Sequence, residues 1–176
     1  MLIQNDSLIN AVLKNTDYPL EEHWDRLEEP FLHEKGVESY RLSVIVLLYD
    51  FLKVYRAEKR WNNYTLFVKE FVISTTVKFR EDSLVNTFQK EITAEQWASI
   101  QTGFQENCFW TMPFDIEEDN YYLDSSHWLL EARNGKNNCT TANYHLANRN
   151  SPSDTTKFSH ICELFFALDS LNVRAF

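Results

Sequence analysis

The residue types that could do chemistry gather between Cys108 and Ala132, CFWTMPFDIEEDNYYLDSSHWLLEA. Cys108, His127 and Asp124 are the members of a possible nucleophilic trio, a thiol, a base and an orienting acid. Cys139 and His145 offer a second thiol and a second imidazole. Such chemistry needs the thiol within hydrogen-bond reach of the imidazole. Linear spacing does not supply that reach. A Cys/His-dependent hydrolase or transferase is therefore an alternative that depends on the fold. The opposing reading is simpler. His127 alternates with Leu129 and Glu131 along a strand, while Trp128 and Leu130 point the other way. That pattern makes His127 and Glu131 a surface pair.

Metal binding is weaker still. Asp115, Glu117, Glu118, Asp119 and Asp124 are dense enough to attract a hard cation, but no EF-hand spacing and no glycine occur in the run. His160 and Cys162 lie two residues apart on a helical stretch and so do not share a face. Glu21, Glu22, His23, Glu28 and Glu29 contain no HExxH and read as a solvated helix face. We expect no metal and no cofactor.

A recognition surface fits the residue types better. Trp110, Phe114, Tyr121 and Tyr122 stand among Asp115, Glu117, Glu118 and Asp119, with His127 and Glu131 nearby. Aromatic anchors inside a charged rim are the ingredients of a protein-binding patch. Trp128 reads as core.

Bulk properties narrow the classes. The 176 residues fit one domain, 1–176, with an N-terminal arm over 1–39 and a core over 40–172. The net charge of −9 opposes a nucleic-acid partner and suits a basic protein. The basic cluster of Lys53, Arg56, Lys59 and Arg60 reads as the exposed face of a strand. Only three glycines are present, and no GxGxxG or GxxxxGK[ST] pattern, which argues against phosphate-cradling loops. Three cysteines make no disulfide framework and suit a reduced, cytoplasmic protein. A Cys108–Cys139 bridge would instead point to a periplasmic or surface module. No secretory leader is read at the N-terminus, and the longest apolar run, 44–49, is too short to span a membrane.

The positioning elements follow from periodicity. Residues 40–49, 51–59, 64–72 and 84–92 read as strands, the second and third joined by a turn at Arg60-Trp61-Asn62-Asn63. Thr93-Ala-Glu-Gln96 is a capping box that opens a helix to about Asn107, with Trp97, Ile100 and Phe104 on one face. Residues 127–133 and 139–147 read as a hairpin around Asn134-Gly135. A last helix starts at Thr155 or Thr156 and carries Phe158, Ile161, Cys162, Phe165 and Leu168. Leu20, Trp24 and Leu27 suggest a helix stopped by Pro30. The sum is an α+β domain: an antiparallel sheet of about five or six strands, two helices on one face, and a mixed N-terminal segment. The other face of the sheet reads as partly wet.

Phe109-Trp110-Thr-Met-Pro113 and Leu123-Asp-Ser-Ser-His-Trp128-Leu-Leu-Glu131 carry a resemblance. They are similar to a group of bacterial proteins in which the pattern runs F-W-x-L-P, then L-D-G-[SA]-x-W-x-L-E, then a hairpin and a final helix. The resemblance extends over about 40–171. The chain departs from it at Ser125, where the group has glycine, and at 143–149, where an aromatic-rich strand end is usual. The resemblance implies the architecture and carries over no catalytic residue. These readings together favour a non-enzymatic bacterial protein, inhibitor- or immunity-like, that binds another macromolecule through its acidic, aromatic-bearing surface.

Overall fold

The structure, a computed structural model, describes residues 28–32, 36–46, 51–72, 83–112, 115–116, 126–134, 143–150 and 156–169; at 115–116, 126–127 and 143–150 it describes the backbone. The strands are β1 (Glu38–Val46), β2 (Phe51–Arg60), β3 (Asn63–Val72), β4 (Ser83–Glu91), β5 (Asp115–Ile116), β6 (Ser126–Asn134) and β7 (Asn143–Asn150). Among the described residues the helices are α1 (Ala94–Glu106) and α2 (Lys157–Asp169), with a 3-10 turn at Phe109–Thr111. One sheet holds all the strands in the order β4-β3-β2-β1-β6-β7-β5. Its long strands pair antiparallel. The two-residue β5 adds a short parallel edge against β7. The fold is α+β.

Register explains which residues are buried. Side chains alternate between faces along each strand. Leu42 pairs with Tyr55 and Leu130, and Tyr40 with Ala57 and Ala132, so these residues share the helix-covered face. There they meet Trp97, Ile100 and Phe104 of α1 and Phe158, Ile161, Cys162, Phe165 and Leu168 of α2. Both helices lie on this one face. Rings fill it: Tyr40 packs on Trp97 and Phe104 with centroids 5.3 and 4.7 Å away.

The helices start where their caps dictate. Thr93 accepts from the Gln96 amide while the Gln96 side chain accepts from the Thr93 amide, the box legible in the sequence. Thr156 and Ser159 make the same reciprocal pair ahead of α2. Gly103 of α1 faces Leu164 of α2, and a methyl group at that position would overlap Leu164 Cδ1. The missing side chain is what lets the helices approach.

Several expectations are corrected. The β2–β3 turn is Trp61-Asn62, because Asn63 already pairs with Arg60. Trp61 takes the left-handed φ of 58° that such hairpins normally give to glycine, and it is 94% exposed. The strand after β6 is described from Asn143, which pairs with Asn134, and Cys139 lies outside the described residues. The helix expected to run to Glu29 does not: Glu28 has φ 51°, and Glu29 is not helical. The rest of that helix lies outside the described residues. The second face of the sheet is wet along β4, where Thr87, Gln89 and Glu91 are exposed, but covered at its centre. Ser39, Arg41, Ser43, Val54, Arg56, Glu58, Leu129 and Glu131 are buried there, beneath a segment containing the buried Glu29 and Leu32. Among the described residues no helix is long and apolar enough to cross a membrane.

Candidate functional site

The aromatic, acidic segment leaves α1 through a tight turn. Asn107 caps the helix, and Cys108 adopts φ 59°, the left-handed step that ends many helices. The 3-10 turn then drives Phe109 into the core, 4.6 Å from Phe104 between ring centroids. Trp110 stays half-buried, edge-on to Phe109 at 5.4 Å. Asp115 and Ile116 pair with Asn148 and Arg149 at the sheet margin. At the far end of the segment Trp128 is half-buried and meets Phe166 edge-on at 5.4 Å. Two indoles thus fix the segment's ends to the core. Trp128 borders that core rather than sitting inside it, which corrects its assignment as core.

The candidate residues divide accordingly. Trp110 lies at the surface of the core, and Asp115 stands at the sheet edge by its backbone. Phe114, Glu117, Glu118, Asp119, Tyr121, Tyr122 and Asp124 lie outside the described residues, as do the side chains of Asp115 and His127. Cys108 is a free, exposed thiol, and Lys157 Nζ at the start of α2 donates to its Sγ at 3.5 Å. Cys139 lies outside the described residues. Cys162 is a buried thiol in the core. No group of metal-ligating side chains occurs among the described residues.

Glu131 is the clearest correction. It was expected at the surface beside His127, yet it is only 2% exposed. Arg41 lies directly across from it on β1, and Arg41 Nε and Nη2 donate to its two oxygens at 2.5 and 2.7 Å. The pair belongs to a larger network. Glu29 accepts from Arg56 at 2.9 Å and from Lys69 at 2.9 Å, with Arg41 Nη1 at 3.6 Å. Arg56 also pairs with Glu58, and its guanidinium lies 4.3 Å from the Phe67 ring centroid. The basic cluster read as an exposed face is thus partly inside: Arg56 is buried and Lys53 half-buried, while Arg60 is exposed.

Electrostatics follow the geometry. Burial penalises the Glu29 carboxylate, but Arg56, Arg41 and Lys69 outweigh it and hold its pKa below the ordinary value. Burial likewise depresses the Arg56 pKa, with Glu29 opposing it. On the helix-covered face Lys53 reaches Asp169 at 2.8 Å and Glu70 at 2.9 Å, and Tyr55 donates to Asp169 at 3.2 Å. Burial pushes the Tyr55 phenol up to about 12.

The network escaped the sequence reading because its members occupy the polar half of an alternating pattern. Arg41 sits between Leu42 and Tyr40 in a strand of β-formers, where a charge with no wet face is a signal for an internal partner. The partner's identity needs the register.

A shallow groove of about 410 Å³ between α1 and α2 is lined by Thr102, Gly103, Glu106, Asn107, His160 and Leu164, among others. Compared with known proteins, the chain matches no family model, no curated protein and no solved structure.

Proposed function

We propose that the protein acts by binding another protein, a basic one, through the acidic, aromatic segment between Trp110 and Trp128. The supporting observation is the way that segment is held. Phe109 and Trp110 anchor one end, Trp128 the other, and Asp115-Ile116 runs along the sheet margin. Fixed ends reduce the ordering cost of binding. The charge distribution supports the same reading. Arg41, Arg56, Lys53 and Lys69 all pair with carboxylates in or at the edge of the core, so much basic charge is turned inward in a nearly neutral network. The net −9 remains to steer a basic partner. The reading is inhibitor- or immunity-like rather than catalytic. A cytoplasmic setting suits the free thiol of Cys108.

The test is capture from native lysate at low and high salt, with the wild-type chain and with an Asp115→Asn/Glu117→Gln/Glu118→Gln/Asp119→Asn variant. A basic partner retained at low salt by the wild type and lost by the variant supports the reading. Equal retention by both chains removes the acidic segment from the interaction.

A further inference from the structure

The sheet face turned away from the helices grips a short stretch of chain in an unusual way. Three sheet cations donate to its backbone: Lys69 Nζ to the Glu28 carbonyl at 3.1 Å, Arg41 Nη1 to the Pro30 carbonyl at 2.9 Å, and Arg133 Nη1 to the Leu32 carbonyl at 3.3 Å. These carbonyls belong to alternate residues of a segment that turns at Glu28, where φ is 51°. One side chain fills a charged socket, Glu29 among Arg56, Lys69 and Arg41. Another side chain three residues on, Leu32, is fully buried. Backbone grips of this kind are indifferent to sequence, whereas the charged socket selects a carboxylate and the burial of Leu32 favours an apolar residue three positions on.

We propose that this face is a docking groove for a short acidic peptide of the pattern Glu-x-x-Leu, and that Glu28–Leu32 fills it in cis as a displaceable strap. Charge complementarity selects the occupant. The groove presents Arg41, Arg56, Lys69 and Arg133 against Glu58 and Glu131, an excess of positive charge, so an acidic peptide is accepted and a basic one repelled. The contacts to main-chain carbonyls give affinity whatever the sequence, and the charged socket gives specificity. The strap lowers the apparent affinity for a peptide in trans by occupying its site. This inference stands apart from the acidic segment and survives its failure.

The experiment uses the full-length chain and a fluorescein-labelled LEEPFLH peptide, the sequence of residues 27–33. Leu32→Ala loosens the strap without stranding a buried charge. By fluorescence anisotropy, the folded Leu32→Ala chain should bind the peptide at least ~10-fold more tightly than wild type, because losing a buried leucine weakens the competitor by more than the ~1.4 kcal/mol that corresponds to tenfold. A LQQPFLH peptide should bind at least ~10-fold more weakly. Equal binding of the two peptides, or no gain with Leu32→Ala, overturns the proposal. Hydrogen exchange on the wild-type chain gives a second readout that needs no variant. Amides of 29, 31 and 32 should exchange well before those of β1. Exchange only together with β1 makes the strap an integral part of the fold and overturns the proposal as well.

Discussion

Arg41 and Glu131 face each other across β1 and β6 and share two charged hydrogen bonds, with both side chains essentially removed from water. The guanidinium fork and the carboxylate match in geometry, so each satisfies the other's strongest hydrogen-bonding demand. Two charges in a sheet interior are costly to desolvate, and the cost is recovered only while both are present. The strap adds a third partner through the Pro30 carbonyl.

Removing one member therefore does more harm than removing both. Glu131→Ala should destabilise the chain by about 3–5 kcal/mol, the usual effect of stranding a buried charge. The double change Arg41→Met/Glu131→Leu should recover most of that loss. Urea unfolding of the single and double variants measures the cycle, and additive losses would contradict the pairing.

Acid should release the strap's carboxylate. The folded-state pKa of Glu29 lies below its ordinary value, so the stability it contributes is present above that value and is lost as pH falls through the depressed one. The wild-type urea midpoint should fall steeply below about pH 4, near the unfolded-state pKa of glutamate. Glu29→Gln should be less stable at pH 7 and show a shallower decline on the acid side. Parallel acid limbs for the two chains would be the contrary result.

Trp61 stores strain that no contact among the described residues compensates. Its backbone is left-handed at φ 58° and its indole is 94% exposed. Glycine relieves the first and sacrifices almost no packing. Trp61→Gly should stabilise the chain by about 1 kcal/mol, at the lower end of the strain expected for such a residue. That corresponds to about 2–4 °C in Tm for a chain of this size. A lower Tm would show that the indole makes contacts in solution.

The crossing of α1 and α2 depends on Gly103. A methyl group there meets the far end of the half-buried Leu164 side chain, which can swing away. The helix-propensity gain of about 1 kcal/mol and the packing cost should nearly cancel in Gly103→Ala. In a Leu164→Ala background the clash is gone, and Gly103→Ala should stabilise by about 1 kcal/mol. Urea titration of the four chains decides it; no gain in that background would place the obstruction on another group.

Local patterns carried much of the architecture. The Thr93–Gln96 box sets where α1 starts, because its two hydrogen bonds lie within four residues of each other. The apolar stripe of Phe158, Ile161, Cys162, Phe165 and Leu168 identifies α2, and alternation identifies β1 to β4 and β6. The site was much less legible. Trp110 reads from the sequence as part of a binding patch, Trp128 as core and Glu131 as facing water, because alternation distinguishes two faces without saying what covers each. Only tertiary structure decides that. The order β2-β1-β6 places Arg41 beside Glu131, 90 residues away in sequence, and lays Glu29 against Arg56 and Lys69. Periodicity is a property of neighbours along the chain, whereas the pairing of buried charges belongs to strands and segments that meet only when the sheet closes over them.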